Sequence, residues 1–153
     1  MPRATTGWAP ASWQNAWGLV AQGRLTADYP NIVSVADVTS LVVTWTPVRN
    51  RMYRLSAEML VESDTAGSGL GLYITNSAGS TQYQQRNVRC QAAGFSEFGA
   101  ISWTNNTDLG AAALTFKVRA AAISGIGAIR AAATYPALFT AEDIGPLLGT
   151  APA

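Results

Sequence analysis

From Gly110 to Gly145 the chain reads GAAALTFKVRAAAISGIGAIRAAATYPALFTAEDIG and holds its longest apolar stretches. A strand turns successive side chains to opposite faces, so Leu114, Phe116, Val118 and Ala120 point one way and Thr115, Lys117 and Arg119 the other. That is the pattern of a half-buried strand. Ala128 to Ala141 carries alanines on both faces, with Tyr135 and Phe139 near its end, and predicts a central strand covered on both sides. Ser124-Gly125-Ile126-Gly127 supplies the turn between the two runs, because glycine reaches positive φ cheaply. The expectation is a hairpin that floors everything upstream.

The same two-residue period recurs through the chain. Gly18 to Thr26 reads as a strand, Asp28-Tyr29-Pro30-Asn31 as a turn, and Ile32, Val33 and Val35 as a short second run before a turn at Asp37. In Ser40 to Thr46, Leu41, Val43 and Trp45 share a face. Arg51 to Glu62 has the composition of a helix, yet Tyr53, Leu55, Ala57, Met59 and Val61 alternate with Arg54, Ser56, Glu58 and Glu62. The strand period wins. Leu70, Leu72 and Ile74 line the next strand, and Ser80 to Cys90 is polar enough to sit at a sheet edge, where polarity blunts pairing with other chains. Phe95 to Thr104 alternates again before a turn at Asn105 to Asp108. Eight or nine strands, with turn signals about every ten residues, predict an all-β fold: an antiparallel β-sandwich, jelly-roll-like, over residues 18–146.

Residues 1–17 (MPRATTGWAPASWQNAW) read as a separate, non-strand arm, with two prolines and three of the five tryptophans: Trp8, Trp13 and Trp17. Ser12 can cap a single helical turn that puts Trp13 and Trp17 on one face. Three indoles are a large apolar area, so they are expected to be buried, either against their own domain or on a neighbouring subunit. Residues 147–153 read as a short, poorly held tail.

Chemistry is scarce. With no histidine among the 153 residues, the Ser-His-acid triad, the Cys-His pair and histidine-ligated zinc are all excluded. Glu58 and Glu62 share one strand face about 13 Å apart, too far for a glycosidase pair. Cys90 is the only cysteine, which rules out an intrachain disulfide and a cysteine metal cluster. Gly67-Ser68-Gly69-Leu70-Gly71 lacks the helix and lysine of a phosphate cradle. Asp64 and Asp108 are single acids in separate loops, poor cages for calcium. No catalytic residue, metal or cofactor is expected.

Charged residues make up 12% of the chain, about half the usual share, and the net charge is +1. Either much of the surface is hidden in an assembly, or it presents a neutral Ser/Thr/Asn/Gln face. The basic residues are scattered and balanced by acids, which speaks against a nucleic-acid partner. No apolar run reaches the roughly 18 residues of a membrane helix, and no secretory leader is visible.

Three stretches carry a family resemblance: Ala16 to Ala21 (AWGLVA), Val42 to Leu55 (VVTWTPVRNRMYRL) and Pro136 to Pro146 (PALFTAEDIGP). In this order the chain resembles the small β-domains of tailed actinobacteriophages that serve as capsid-decoration, head-fibre or minor tail proteins. The resemblance implies a jelly-roll-like sandwich, a homotrimer on a virion, the major capsid protein or another virion protein as partner, and no enzymatic residues. Trp8, Trp13 and Trp17 are then the candidate anchors of the arm. In tail relatives the domain ends a longer polypeptide, whereas here it makes up nearly the whole chain, which shifts the expectation toward the capsid surface. The alternative is a minor tail or fibre-tip protein that binds a host-surface glycan, with Tyr83 and Trp103 as candidate exposed aromatics.

Overall fold

The computed structural model describes residues 18–147. Ten strands follow one another: β1 (Gly18–Leu25), β2 (Tyr29–Ile32), β3 (Ala36–Trp45), β4 (Arg51–Ser63), β5 (Gly69–Asn76), β6 (Gln82–Arg89), β7 (Glu97–Thr104), β8 (Leu114–Ala122), β9 (Gly127–Arg130) and β10 (Ala137–Pro146). No helix occurs among the described residues. Every pairing is antiparallel. The long strands β1, β10, β4 and β7 lie side by side in one sheet, and β3, β8, β5 and β6 in the other. Except for β5 to β6, the chain changes sheet between successive long strands, which is the wrapping of a jelly roll.

Alternation decides which side chains enter the core. Tyr53, Leu55, Ala57, Met59 and Val61 of β4 are buried and face Leu70, Leu72 and Ile74 of β5 together with Phe116, Val118 and Ala120 of β8. Here the two-residue period read from the sequence and the buried face coincide. At about 25 cal/mol per Å² of apolar surface, burial of these side chains is the main driving force for closing the two sheets.

The last third folds differently from the expected hairpin. β8 and β9 belong to opposite sheets, so Ser124 to Gly127 is a crossover. It is tied to the β4–β5 loop: Ser68 Oγ donates to Ser124 O (2.6 Å), and Asp64 Oδ1 accepts from Ile126 N (2.8 Å). Gly125, at φ 67°, makes the bend. The run from Ala128 to Ala141 is also two strands. β9 and β10 both pair with β4, as Leu60↔Arg130 and Leu138↔Glu58 show, and residues 131–136 leave the sheet between them, where Ala132 bridges Tyr135. β10 is central, between β1 and β4, but only its inner face is buried; Leu138, Thr140 and Glu142 are partly open on the outside.

Smaller differences have local causes. Tyr29 to Ile32 pairs with β9 and forms β2 instead of a turn, leaving Val33 and Val35 exposed beyond it. Asp37 lies within β3, where Lys117 and Arg119 of β8 bind its carboxylate. Leu147 is buried and its N–H donates to Asn50 O, so it belongs to the sandwich and not to a loose tail; residues 148–153 lie outside the described residues.

Both long sides of the sandwich are shut. On one, β1 approaches β3 so closely that a Cβ on Gly23 would lie 2.6 Å from Val42 O. On the other, the polar strand β6 is the edge of its sheet, as expected, and reaches across to β7. Arg86 donates to Ala100 O (2.8 Å) and Gln84 to Ser102 O (3.4 Å), covering carbonyls on the free edge of β7.

Candidate partner-binding surface

The antiparallel registers sort the molecule into two ends. Gly18 pairs with Asp143 and Asp143 with Tyr53, so the chain enters and leaves the sandwich at the end that also carries the β3–β4, β5–β6 and β7–β8 loops. The β2–β3, β4–β5, β6–β7 and β8–β9 loops form the opposite end. Among the described residues eight large hydrophobic side chains are exposed. Leu19 and Val48 sit at the chain-terminal end, while Val33, Val35, Phe95 and Ile126 occupy the opposite loops, with Phe98 and Tyr135 on the adjoining outer face of the β1-β10-β4-β7 sheet.

Phe98 and Tyr135 are 64% and 56% exposed. Phe98 is paired with Leu60 across β4 and β7, and Tyr135 sits in the segment that leaves the sheet between β9 and β10. Together with Glu58, Met59, Pro136 and Leu138 they surround a hollow of about 230 Å³. Beyond Leu60 and Tyr135 lies a second hollow bordered by Arg130, which bonds Glu62 through Nε (2.9 Å) and one Nη (2.6 Å) and Asp28 through the other Nη (2.6 Å). Asp28 also accepts from Ala131 N (2.9 Å). That backbone bond, then Arg130, holds the Asp28 carboxyl below the ordinary carboxylate range, and Arg130 does the same for Glu62. Glu58, in the wall of the first hollow, forms no ion pair among the described residues.

Next to this patch the outer face turns polar. Gln22, Thr140, Ser56 and Ser102 stand opposite one another in one row across β1, β10, β4 and β7. This row runs through a trough of about 670 Å³, with Arg54 bonded to Glu142 on one flank and Arg86 on another. Such a surface offers hydrogen bonds to a neutral, hydroxyl-rich molecule. No group of three or more metal-ligating side chains occurs among the described residues.

Tyr83 and Trp103, the aromatics expected to be exposed, are packed inward instead. Their rings lie 4.7 Å apart, and Phe116 is 5.2 Å from Tyr83 and 5.8 Å from Trp103. They plug the sandwich where β6 meets β7. Sequence alternation already set Trp103 on the face of Ile101, which is buried, and that was the signal that it belongs to the core. Tyr135 was missed because an apolar run reads as core, and Phe98 although its odd spacing from Ile101 marks the outward face. Asp64 and Asp108 prove to be turn acids: Asp108 Oδ1 accepts from Asn50 N and Gly110 N, and Asp64 holds the crossover. Cys90 is buried and its thiol donates to Val61 O, with burial pushing its pKa up. Trp8, Trp13 and Trp17 lie outside the described residues.

The described residues thus form a jelly-roll-like antiparallel sandwich whose outer face carries an apolar patch beside a polar trough. No family model and no curated protein sequence matches the chain. Among solved structures, it is similar to a carbohydrate-binding module from Cellvibrio mixtus lichenase 5A in complex with cellotriose, at 12% identity and a TM-score of 0.44, covering 81% of this chain and 97% of that one. A subviral particle of infectious bursal disease virus VP2 is similar at 10% identity and a TM-score of 0.41, covering 82% of this chain and 37% of VP2. The C-terminal CBM6 of the laminarinase LamC from Zobellia galactanivorans gives 16% identity and a TM-score of 0.37, covering 78% and 98%. At these values the likenesses assign no function to this chain; the architecture rests on its own strand order.

Proposed function

We propose that this protein is a structural, non-enzymatic component of a tailed-bacteriophage virion, a capsid-decoration protein that associates with its own copies as a homotrimer and with the major capsid protein. The family resemblance in the sequence supplies the virion setting. The observation that carries the association is the character of the surface. Among the described residues, ten charged side chains are engaged with one another in six ion pairs, while eight large hydrophobic side chains stand exposed. A sandwich with so few free charges and so much apolar surface suits burial in an assembly. Copies bound to a repeating shell gain avidity as well. The arm residues Trp8, Trp13 and Trp17 serve as anchors.

The test is to image purified particles of the phage that encodes the chain, with and without it. Added density at capsid threefold positions supports the reading; protein found only at the tail tip, or absent from particles, overturns it. A second reading, a fibre-tip module binding a neutral host glycan, is favoured by the polar trough beside Phe98 and Tyr135. It requires that Ser102→Trp, which fills the trough, abolish attachment to host cell-wall polysaccharide.

A further inference from the structure

We infer that the hollow between Phe98 and Tyr135 is the receptor for residues 1–17 of a second copy of this chain, with the indoles of Trp8, Trp13 and Trp17 as its occupants. The inference rests on the proposed function only in that copies associate; the receiving surface follows from the geometry. An exposed pair of aromatic rings around a concave, partly apolar floor, with a carboxylate in its wall, is what an indole-bearing segment fits: large ring against ring, with the indole N–H left free to meet an acceptor. Residues 1–17 contain Arg3 and no acid. The wall of the hollow supplies Glu58, which has no ion pair among the described residues, so the charges are complementary.

Register favours a second copy over the chain's own arm. Gly18, where the arm joins, is level with Tyr53 on β4, whereas Phe98 is level with Leu60, seven residues further along, and three strands across from β1. At about 3.3 Å per residue and about 4.8 Å per strand, the separation is about 27 Å. Trp13 is five residues from Gly18 and extends at most about 18 Å; Trp17 adjoins it. Within one chain only Trp8 spans the distance to Phe98; Trp13 reaches no further than the near wall at Leu138, about 17 Å from Gly18, and Trp17 does not reach the hollow. An arm that brings all three indoles to the hollow therefore comes from another copy, whose chain-terminal end lies near this copy's apolar side. The two surfaces of such a contact differ, so it is heterologous, and it closes into a ring when the rotation between copies allows.

Three full-length proteins test this by sedimentation: wild type, a receptor variant (Phe98→Ser with Tyr135→Ser) and an arm variant (Trp8→Ala, Trp13→Ala and Trp17→Ala). Wild type is expected to associate, and each variant alone to do so with a dissociation constant raised at least tenfold. Mixed one to one, the receptor variant lends its arm and the arm variant its hollow, so the mixture forms a dimer that neither forms alone. Three results overturn the inference. A receptor variant that assembles like wild type places the arm elsewhere and leaves the proposed function standing. A mixture that stays monomeric, when each variant has lost assembly, means the arm folds back on its own domain. A wild type that is monomeric at every concentration removes both the inference and the proposed trimer. Because both receptor side chains are exposed, the urea midpoint of that variant should equal that of wild type; should it fall, Tyr135→Ser alone takes its place.

Discussion

The guanidinium of Arg51 clasps the carboxylate of Asp143 across β4 and β10, with Nη2 2.7 Å from Oδ1 and Nε 3.0 and 3.1 Å from the two oxygens, and the Asp143 side chain is fully buried. Oδ1 also accepts from Gly145 N (3.0 Å), so the pair holds the β10 bulge between Asp143 and Gly145. Just past the end of β7, Asn105 accepts from Tyr53 N and donates to Arg51 O and Thr107 O, tying the β7–β8 turn to the start of β4.

Arg51→Met leaves that carboxylate buried beside a hydrophobic stem, and removal of one partner of a buried pair costs about 3–5 kcal/mol. Urea unfolding should show this loss, and Arg51→Met with Asp143→Leu should recover part of it. A double variant as unstable as the sum of the singles would contradict the account.

Gly23→Ala is expected to destabilise by about 1–3 kcal/mol. The added methyl meets Val42 O, Val42 N and Ser40 O at 2.6, 2.7 and 2.9 Å, all backbone, so β1 and β3 must part. Hydrogen exchange should quicken in β1 and β3 and stay unchanged in β5 and β6.

Trp103→Ala and Phe98→Ser separate core from surface. Trp103 packs on Tyr83 and Phe116, and its truncation should cost about 2–4 kcal/mol. Phe98, exposed, should change stability by less than about 0.5 kcal/mol. Equal thermal shifts for the two would refute the assignment of Trp103 to the core.

Acid should unfold the protein from one side only. Asp28, Glu62 and Asp37 are held below the ordinary carboxylate range, Asp28 first by the Ala131 N–H, Glu62 by Arg130 and Asp37 by Lys117. A carboxyl with a depressed folded-state pKa contributes stability above its unfolded value, lost as pH falls through the folded one. With no histidine in the chain, chemical-denaturation midpoints should be flat between about pH 5.5 and 8 and decline below about pH 4. A step near pH 6.5 would show that another group governs.

Much of the architecture was legible from side-chain alternation, because a strand with one buried face must repeat every two residues. Tyr53 to Val61 and Leu114 to Ala120 show it plainly, and the buried face in the structure is the one their spacing marks. The polar composition of Gln82 to Arg89 likewise marked an edge. The exposed apolar patch was less legible. Tyr135 looks like a core residue in a one-dimensional reading because its place depends on strands distant in the chain, whereas the spacing of Trp103 and of Phe98 from Ile101 already marked one as inward and the other as outward.

Alternation, the glycines and the lack of histidine are properties of local sequence, and they determined an all-β sandwich poor in proton-transfer chemistry. Partner choice between strands was decided only by tertiary structure. Backbone hydrogen bonds are nearly the same for any pairing, so the turn Ser124 to Gly127 serves a hairpin or a crossover equally well. What selects the crossover is the closure of two sheets on one core and the grip of Ser68 and Asp64 on that loop, residues more than fifty positions away.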